Sequence, residues 1–219
     1  AITKLFDTKF NITALDCPLK SGSSKCRVHA IAPAVYNVIV GAAGIAKDKC
    51  NISGDGYSIL ELKNGKFLLA LSDGMGVGAK AAKHSEMTLS ILERLLEAGF
   101  DSDTALRIAN SVLLIYTKEE SFSTADLALI DMHTCNVEFV KAGAATGFVK
   151  RGSNVEIISG GSLPMGIVDK MSPQIKRKKL SPGDMIVMVT DGVLDCFSRN
   201  DNGEKVLQKI ISKIRTTNP

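Results

Sequence analysis

The chain has 219 residues, of which 45% are hydrophobic and 23% are charged, a composition typical of one globular domain that buries its own core. Its formal net charge of +4 is too small to indicate nucleic-acid binding. Five cysteines without C-x-x-C spacing argue against a zinc ribbon or a disulfide framework and favour reduced, intracellular thiols. The longest weakly polar run, residues 34–46, is too short to span a bilayer.

The first half of the chain predicts a lead-in followed by strands. Residues 1–34 are interpreted as an irregular lead-in from an upstream region, because prolines and a glycine interrupt them. Residues 35–46 are rich in side chains that favour strands. Two further strands are predicted at 57–62 and 67–72, and the Asn64-Gly65 turn between them predicts a hairpin.

The rest of the chain predicts three helices and a second run of strands. Apolar side chains recur at helical spacing over 79–98, where Gly99 ends the helix. Asp101 or Ser102 can cap a second helix that runs to 116, and a last helix covers about 204–214. Tight turns between successive strands predict antiparallel sheets with helices outside. The strands are predicted at 124–131, 136–141, 147–150, 155–158, 174–180 and 185–190.

Two Asp-Gly pairs lie at the ends of apolar strands that are far apart in sequence. They are Asp73-Gly74 and Asp191-Gly192, and one such pair alone is most simply a turn. Two pairs at strand ends indicate instead one site built from two strands, with oxygen ligands that suit Mg²⁺ or Mn²⁺. Asp55 starts the hairpin whose far strand ends at Asp73, so it is a candidate third carboxylate.

A series of short motifs runs through the chain in a fixed order. These motifs are Ser53-Gly54-Asp55, Ser72-Asp73-Gly74-Met75-Gly76, Gly78-Ala79, Ser123-Thr124-Ala125-Asp126-Leu127, Lys141-Ala142-Gly143, Leu163-Pro164-Met165-Gly166-Ile167 and Asp191-Gly192. The series resembles the metal-dependent (PPM-type) serine/threonine phosphatases over about residues 35–215, and the Asp-Gly-Met-Gly form indicates their sporulation branch. The resemblance implies an α/β (α+β) sandwich: two antiparallel β-sheets packed face to face and flanked by helices.

The resemblance also implies a binuclear site for two Mn²⁺ or Mg²⁺ ions. Asp73 matches a carboxylate that bridges both ions, Gly74 matches a residue that offers its backbone carbonyl, and Asp191 matches a ligand of one ion. Asp55 matches the acidic residue of an early metal motif. Asp73 and Asp191 are therefore the candidate catalytic residues, since such ions activate a water and clamp phosphoryl oxygens.

Members of this family end in a further strand with a paired-Asp motif that completes the metal site. The sequence contains no such motif after Asp191, so the phosphatase domain is expected at 35–219 without its last helix and strand. A missing ligand would weaken the binding of one ion. This gap is the reason for considering a catalytically incomplete module for phosphoprotein docking or dimerisation as the alternative.

The implied function is a protein serine phosphatase that dephosphorylates an anti-anti-sigma factor with a STAS domain and so activates a sporulation sigma factor. A phosphatase of a general stress pathway is a weaker possibility. The resemblance further implies a cytoplasmic domain, a longer parent protein in the bacterial inner (septal) membrane, and a homodimer formed through the helices in 79–116. Such helices would couple dimerisation or upstream domains to metal binding.

Two charged features are interpreted as ordinary solvent-exposed positions. Asp126 interrupts an apolar strand and is expected to face solvent, with a place near the site as the alternative. The basic run at residues 176–179 is expected to be a solvated edge strand or loop, not a binding patch.

Overall fold

The computed structural model describes residues 10–16, 22, 25, 27–46, 52–116, 122–197 and 202–215, which form ten strands and four helices. The strands are β1 (Asn11–Asp16), β2 (Arg27–Ile31), β3 (Asp55–Glu61), β4 (Lys66–Asp73), β5 (Ala125–Asp131), β6 (Asn136–Ala142), β7 (Gly147–Arg151), β8 (Asn154–Ile158), β9 (Gln174–Lys179) and β10 (Met185–Val187). The helices are α1 (Ala79–Glu97), α2 (Ser102–Tyr116), α3 (Asp191–Asp195) and α4 (Gly203–Lys213).

The strands form a five-stranded sheet, a three-stranded sheet and a separate pair. The five-stranded sheet has the order β3-β4-β5-β6-β9, and the three-stranded sheet has the order β10-β7-β8. Strands β1 and β2 pair with each other. All neighbouring strands are antiparallel, as the tight turns between them predict.

The two larger sheets are layered between helices. On β4, Leu68 and Ala70 pack in the cluster beneath α1 and α2, whereas Phe67 and Leu69 point to the opposite face, toward the second sheet. This alternation follows from the two-residue period of a strand. A third cluster joins the three-stranded sheet to α4. The predicted α+β sandwich of two antiparallel sheets flanked by helices is confirmed.

Local signals in the sequence place several elements well. Gly65 has a φ of 76° in the turn between β3 and β4, a backbone conformation that favours glycine. Asp101 caps α2, because its Oδ1 accepts a hydrogen bond from the Thr104 backbone N–H at 3.0 Å. Ser102, the alternative cap, uses its hydroxyl to donate to Glu138 on β6.

Two expectations about the first part of the chain are wrong. The lead-in is not irregular throughout, because β1 and β2 form an antiparallel hairpin within it. Residues 35–46 form no strand, although their composition favours one. Their backbone contacts the sandwich at the N–H groups of Val35 and Tyr36, which both donate to the Met132 carbonyl. A strand also needs a partner along its length, and composition does not reveal one.

The stretch at 185–190 also differs from its prediction. Strand β10 ends at Val187 because β7 pairs with it over only three residues, and α3 starts at Asp191. Strand β9 lies at an edge of its sheet and carries the basic run, as expected. None of the helices in the described residues combines the length and the apolar character that crossing a membrane requires.

Candidate functional site

Three carboxylates meet where the two sheets face each other at one end. Asp55, the first residue of β3, pairs directly with Asp73, the last residue of β4. Asp191 enters from the other sheet, at the start of the helix that follows β10. Thr190 joins the two sheets, because its hydroxyl donates to Asp55 Oδ2 at 3.1 Å. The structure therefore brings together the predicted residues Asp55, Asp73, Gly74 and Asp191.

The central carboxylate of this cluster is unusually hard to ionise. Asp73 is half-buried, and its pKa is raised to about 7 by burial, by repulsion from Asp55 and Asp191, and by a hydrogen bond with Asp55. A bound cation would remove this repulsion, and three carboxylates are the hard oxygen donors that Mn²⁺ or Mg²⁺ prefers. The donor set fits the implied metal in chemistry.

Metal ligation by these residues nevertheless stays a prediction. Among the described residues, no three His, Cys, Asp or Glu side chains form a group that could hold a metal ion. The three carboxylates interact through their charges, so they are near one another without forming a closed ligand shell.

Glycine is required at position 74 because helix α1 approaches the strand end closely. A Cβ atom on Gly74 would lie 2.0 Å from the Ala81 carbonyl oxygen. A Cβ on Gly54 would lie 3.0 Å from Ala81 Cβ, on the same first turn of α1. The start of α1 therefore rests directly on the backbone that carries Asp73.

Residues of two further motifs support the strand end that carries Asp73. Thr124 Oγ1 accepts from the Asp73 N–H at 2.8 Å, and the Thr124 N–H donates to the Asp73 carbonyl at 2.8 Å. Ser123 exchanges backbone hydrogen bonds with Met165 and shares a 2.6 Å hydrogen bond with Thr88 of α1. Nothing in the local sequence of these motifs indicates that they support the strand end, because their partners are distant in the chain.

The expectation that Asp126 faces solvent is wrong. Asp126 lies between the sheets, where Lys141 Nζ donates to its Oδ2 at 2.6 Å. Burial raises the pKa of Asp126, against the opposing effect of the Lys141 charge. Both residues interrupt apolar strands that pair with each other, and this matched pair of opposite charges is the signal that the sequence analysis missed.

Known proteins resemble this chain in sequence and in fold. A sequence model of the family described as Stage II sporulation protein E (SpoIIE) matches residues 63–219, a range that contains Asp73 and Asp191 but not Asp55. The chain is 37% identical to stage II sporulation protein E of Priestia megaterium over 194 residues, which are 89% of this chain. It spans 33% of the length of that relative.

Two other proteins give a similar result. The chain is 27% identical to the phosphoserine phosphatase RsbU of Bacillus subtilis (strain 168) over 165 residues, which are 74% of this chain and 49% of RsbU. A solved structure of the PP2C phosphatase domain and a fragment of the regulatory domain of SpoIIE from Bacillus subtilis has a TM-score of 0.81 and 30% identity. That match covers 99% of this chain and 63% of the solved one.

Proposed function

Because this chain belongs to the stage II sporulation protein E family, we propose that it is a metal-dependent serine phosphatase whose active site is the carboxylate cluster between its sheets. The fold is that of a PP2C phosphatase domain. The observation that carries the proposal is the convergence of Asp55, Asp73 and Asp191 from two sheets onto one another.

In this proposal, Asp55, Asp73, Asp191 and the Gly74 carbonyl hold two Mn²⁺ or Mg²⁺ ions. When bound, such ions activate a water for in-line attack and neutralise the phosphoryl oxygens. The products are the free serine hydroxyl and inorganic phosphate. The chain contributes the orientation of the ligands: Thr124 fixes the backbone of Asp73, and Thr190 fixes the side chain of Asp55.

The proposed substrate is a phosphoserine on an anti-anti-sigma factor with a STAS domain, whose dephosphorylation activates a sporulation sigma factor. Family membership supports this choice, and the relative RsbU is named a phosphoserine phosphatase. The site is open enough for a residue on a folded protein, because Asp55 and Asp191 are both exposed.

Dimerisation and location are part of the same proposal. Helix α2 exposes Val112, Ile115 and Tyr116, apolar side chains that a homodimer through α1 and α2 would cover. We place the domain on the cytoplasmic side and its longer parent protein in the inner (septal) membrane. The relatives support a longer parent, since the chain spans a third of the Priestia megaterium protein.

The proposal is tested by measuring phosphate release from a phosphorylated STAS-domain protein, with Mn²⁺ and with EDTA. We expect turnover that needs Mn²⁺ and that is abolished in Asp73→Asn. Asp103→Asn is the matched control, because it removes one exposed carboxylate from α2, away from the cluster, and should leave turnover unchanged.

Turnover that persists in EDTA, or in Asp73→Asn, would contradict the proposal. A folded protein that binds the phosphorylated partner without any turnover would favour the alternative, a docking module with the phosphatase fold. Adding a C-terminal extension with the paired-Asp motif then separates an incomplete enzyme, which gains activity, from a docking module, which does not.

A further inference from the structure

A buried ion pair lies in the five-stranded sheet next to the carboxylate cluster. Its members, Lys141 and Asp126, have side chains that are only 2% and 3% exposed. Apolar side chains of similar size often replace such a pair without loss of stability, so a buried pair is weak evidence for a purely structural role. The rest of β5 is apolar and buried up to Ile130, which makes the charge at Asp126 stand out.

The register of the sheet places this pair beside Asp73. Strand β4 pairs Leu71 with Asp126, and strand β5 pairs Asp126 with Lys141. Asp73 lies two residues beyond Leu71, so its side chain is on the same face as that of Asp126. The two carboxylates are therefore diagonal neighbours across adjacent strands, a relation that places side chains within about 7–8 Å.

A small pocket separates the two carboxylates. It is lined by Leu71, Asp73, Thr124, Asp126, Asp191 and the segment 143–145, among other residues. Its lining is polar on the side of the aspartates and Thr124 and apolar elsewhere, and it has room for a water molecule. It opens onto the candidate active site, because Asp73 and Asp191 belong to both.

One oxygen of Asp126 is not used by the ion pair. Oδ2 accepts from Lys141, whereas Oδ1 is fully buried and has no hydrogen-bond partner among the described residues. Buried polar atoms are normally paired with protein or with ordered water. A water in the pocket can supply the donor that Oδ1 needs and still has a second hydrogen to donate.

Lys141 fixes both the carboxylate and one wall of the pocket. Besides its bond to Asp126, its Nζ donates to the Ala145 carbonyl at 2.7 Å. The backbone of Gly160 packs closely against the stem of this side chain, since a Cβ on Gly160 would lie 2.8 Å from Lys141 Cβ. The pair therefore sets the direction in which Asp126 Oδ1 points.

We propose that Asp126 is a positioning residue for the candidate active site. It holds a water that donates one hydrogen bond to Asp126 Oδ1 and the other to the Asp73 carboxylate, which fixes the orientation of Asp73 toward a cation. Hydrogen-bonding partners of this kind change metal affinity or activity by about 10–100-fold. The inference depends on the proposed function for one point, the role of Asp73 as a metal ligand.

Two double variants of the full chain test this inference. Asp126→Leu with Lys141→Met removes both charges and leaves no atom that can hold the water. Asp126→Asn with Lys141→Gln also removes both charges but keeps polar atoms in the same places. Arg151→Met with Asp184→Leu is the matched control, because it removes another ion pair outside the pocket. The readouts are the Kd for Mn²⁺ by calorimetry, kcat, KM and the melting temperature.

We expect the Leu/Met variant to raise the Kd for Mn²⁺ about 10-fold or more and to lower kcat by a similar factor, with KM for the phosphoprotein little changed. The Asn/Gln variant should stay within about threefold of the wild type, since only a polar side chain can hold the water. The control should change the melting temperature alone. Equal Mn²⁺ affinity in the two double variants would overturn the inference.

Two further outcomes are informative. If the Leu/Met variant does not fold, Asp126→Val and Asp126→Thr, each with Lys141→Met, repeat the comparison, because only threonine can hold the water. A wild-type protein that binds Mn²⁺ without releasing phosphate contradicts the proposed function, while the Mn²⁺ affinities still decide the role of Asp126. A wild-type protein that binds no Mn²⁺ overturns both.

Discussion

Two aspartates flank strand β10, and they lie in opposite electrostatic surroundings. Asp184, just before the strand, accepts hydrogen bonds from Arg151 Nη2 at 2.6 Å and from the Ser181 N–H at 2.8 Å. Asp191, just after it, repels the neighbouring carboxylate Asp73. Asp184 therefore stabilises the fold through its hydrogen-bond donors, whereas Asp191 adds electrostatic repulsion to it.

The pKa values of Asp184 and of Asp73, the carboxylate that Asp191 repels, move in opposite directions. Burial alone would raise the pKa of Asp184, but the hydrogen bonds from Arg151 and Ser181 lower it below its usual value. The pKa of Asp73 is raised to about 7. An acid with a raised pKa destabilises the fold when it is ionised, and groups of this kind concentrate at functional sites.

The strongest test of this comparison is Asp191→Asn. We expect turnover to fall by about 10³-fold, equivalent to roughly 4 kcal/mol, because a predicted metal ligand is lost. The free energy of unfolding without Mn²⁺ should be unchanged or slightly higher, since one repelling charge is removed. Phosphate release and urea unfolding measure the two effects. A variant that loses stability and keeps its turnover would reverse the assignment of Asp191.

The next largest effect is expected for Gly74→Ala. The new methyl group would lie 2.0 Å from the Ala81 carbonyl, so the start of α1 must move away from the strand end. We expect a loss of about 3 kcal/mol in the free energy of unfolding, measured with urea. Gly161→Ala is the control, because nothing lies within 4 Å of a Cβ at that position. Equal stability of the two variants would mean that α1 does not press on this backbone.

Asp184→Asn is expected to have a smaller effect and to leave kcat unchanged. Losing the charged acceptor for Arg151 should lower the free energy of unfolding by about 1–3 kcal/mol at neutral pH. Because the pKa of Asp184 is lowered in the folded protein, its stabilisation is present above the unfolded pKa of about 3.9 and is lost as the pH falls below it.

The pH dependence of the unfolding free energy distinguishes the loss of this charge from a change in packing. The stability difference between the wild type and Asp184→Asn should shrink as the pH falls below about 4, because the unfolded carboxylate then binds a proton while the folded one, whose pKa is lowered, does so only at lower pH. If the difference in the free energy of unfolding stayed constant as the pH fell to the pKa of Asp184 in the folded protein, the effect would be due to packing and not to charge. A fall in kcat would place Asp184 in the site as well.

The smallest effect is expected for Lys178→Ala on the edge strand β9. Lys178 pairs with Glu156, whose side chain is 54% exposed. Exposed ion pairs contribute about 0–1 kcal/mol, so urea unfolding should detect little change. The comparison with Asp184 requires an exposed ion pair to contribute less to stability than a buried one. A loss above about 1 kcal/mol in the free energy of unfolding of Lys178→Ala would contradict this.

Elements defined by local chemistry could be predicted from the sequence. Asn64-Gly65 fixes its turn through the backbone of those two residues, and the leucines of α1 follow the spacing of a helix face. Asp73 and Asp191 could be recognised as a pair because each follows an apolar strand. The structure adds that they come from different sheets, which no local pattern encodes.

Features that depend on distant contacts could not be predicted in this way. Asp126 was expected to face solvent because it interrupts an apolar strand, and its burial depends on Lys141 in the neighbouring strand. Residues 35–46 have the composition of a strand but pair with no strand in the part of the chain that the structure describes. Glycine is needed at position 74 because Ala81 of α1 packs against it, and this contact exists only in the folded protein.

The hydrogen bond from Thr190 to Asp55 has a consequence for the order of folding. The two residues are 135 positions apart in the chain. Contacts of such high sequence separation form late, after the local hairpins and helices, because closing a long loop is entropically unfavourable. Asp55 and Asp73 already face each other in the β3–β4 hairpin, whereas Asp191 joins them only when the two sheets dock, so its repulsion does not oppose the earlier steps. The complete carboxylate cluster therefore forms only at the last stage of folding.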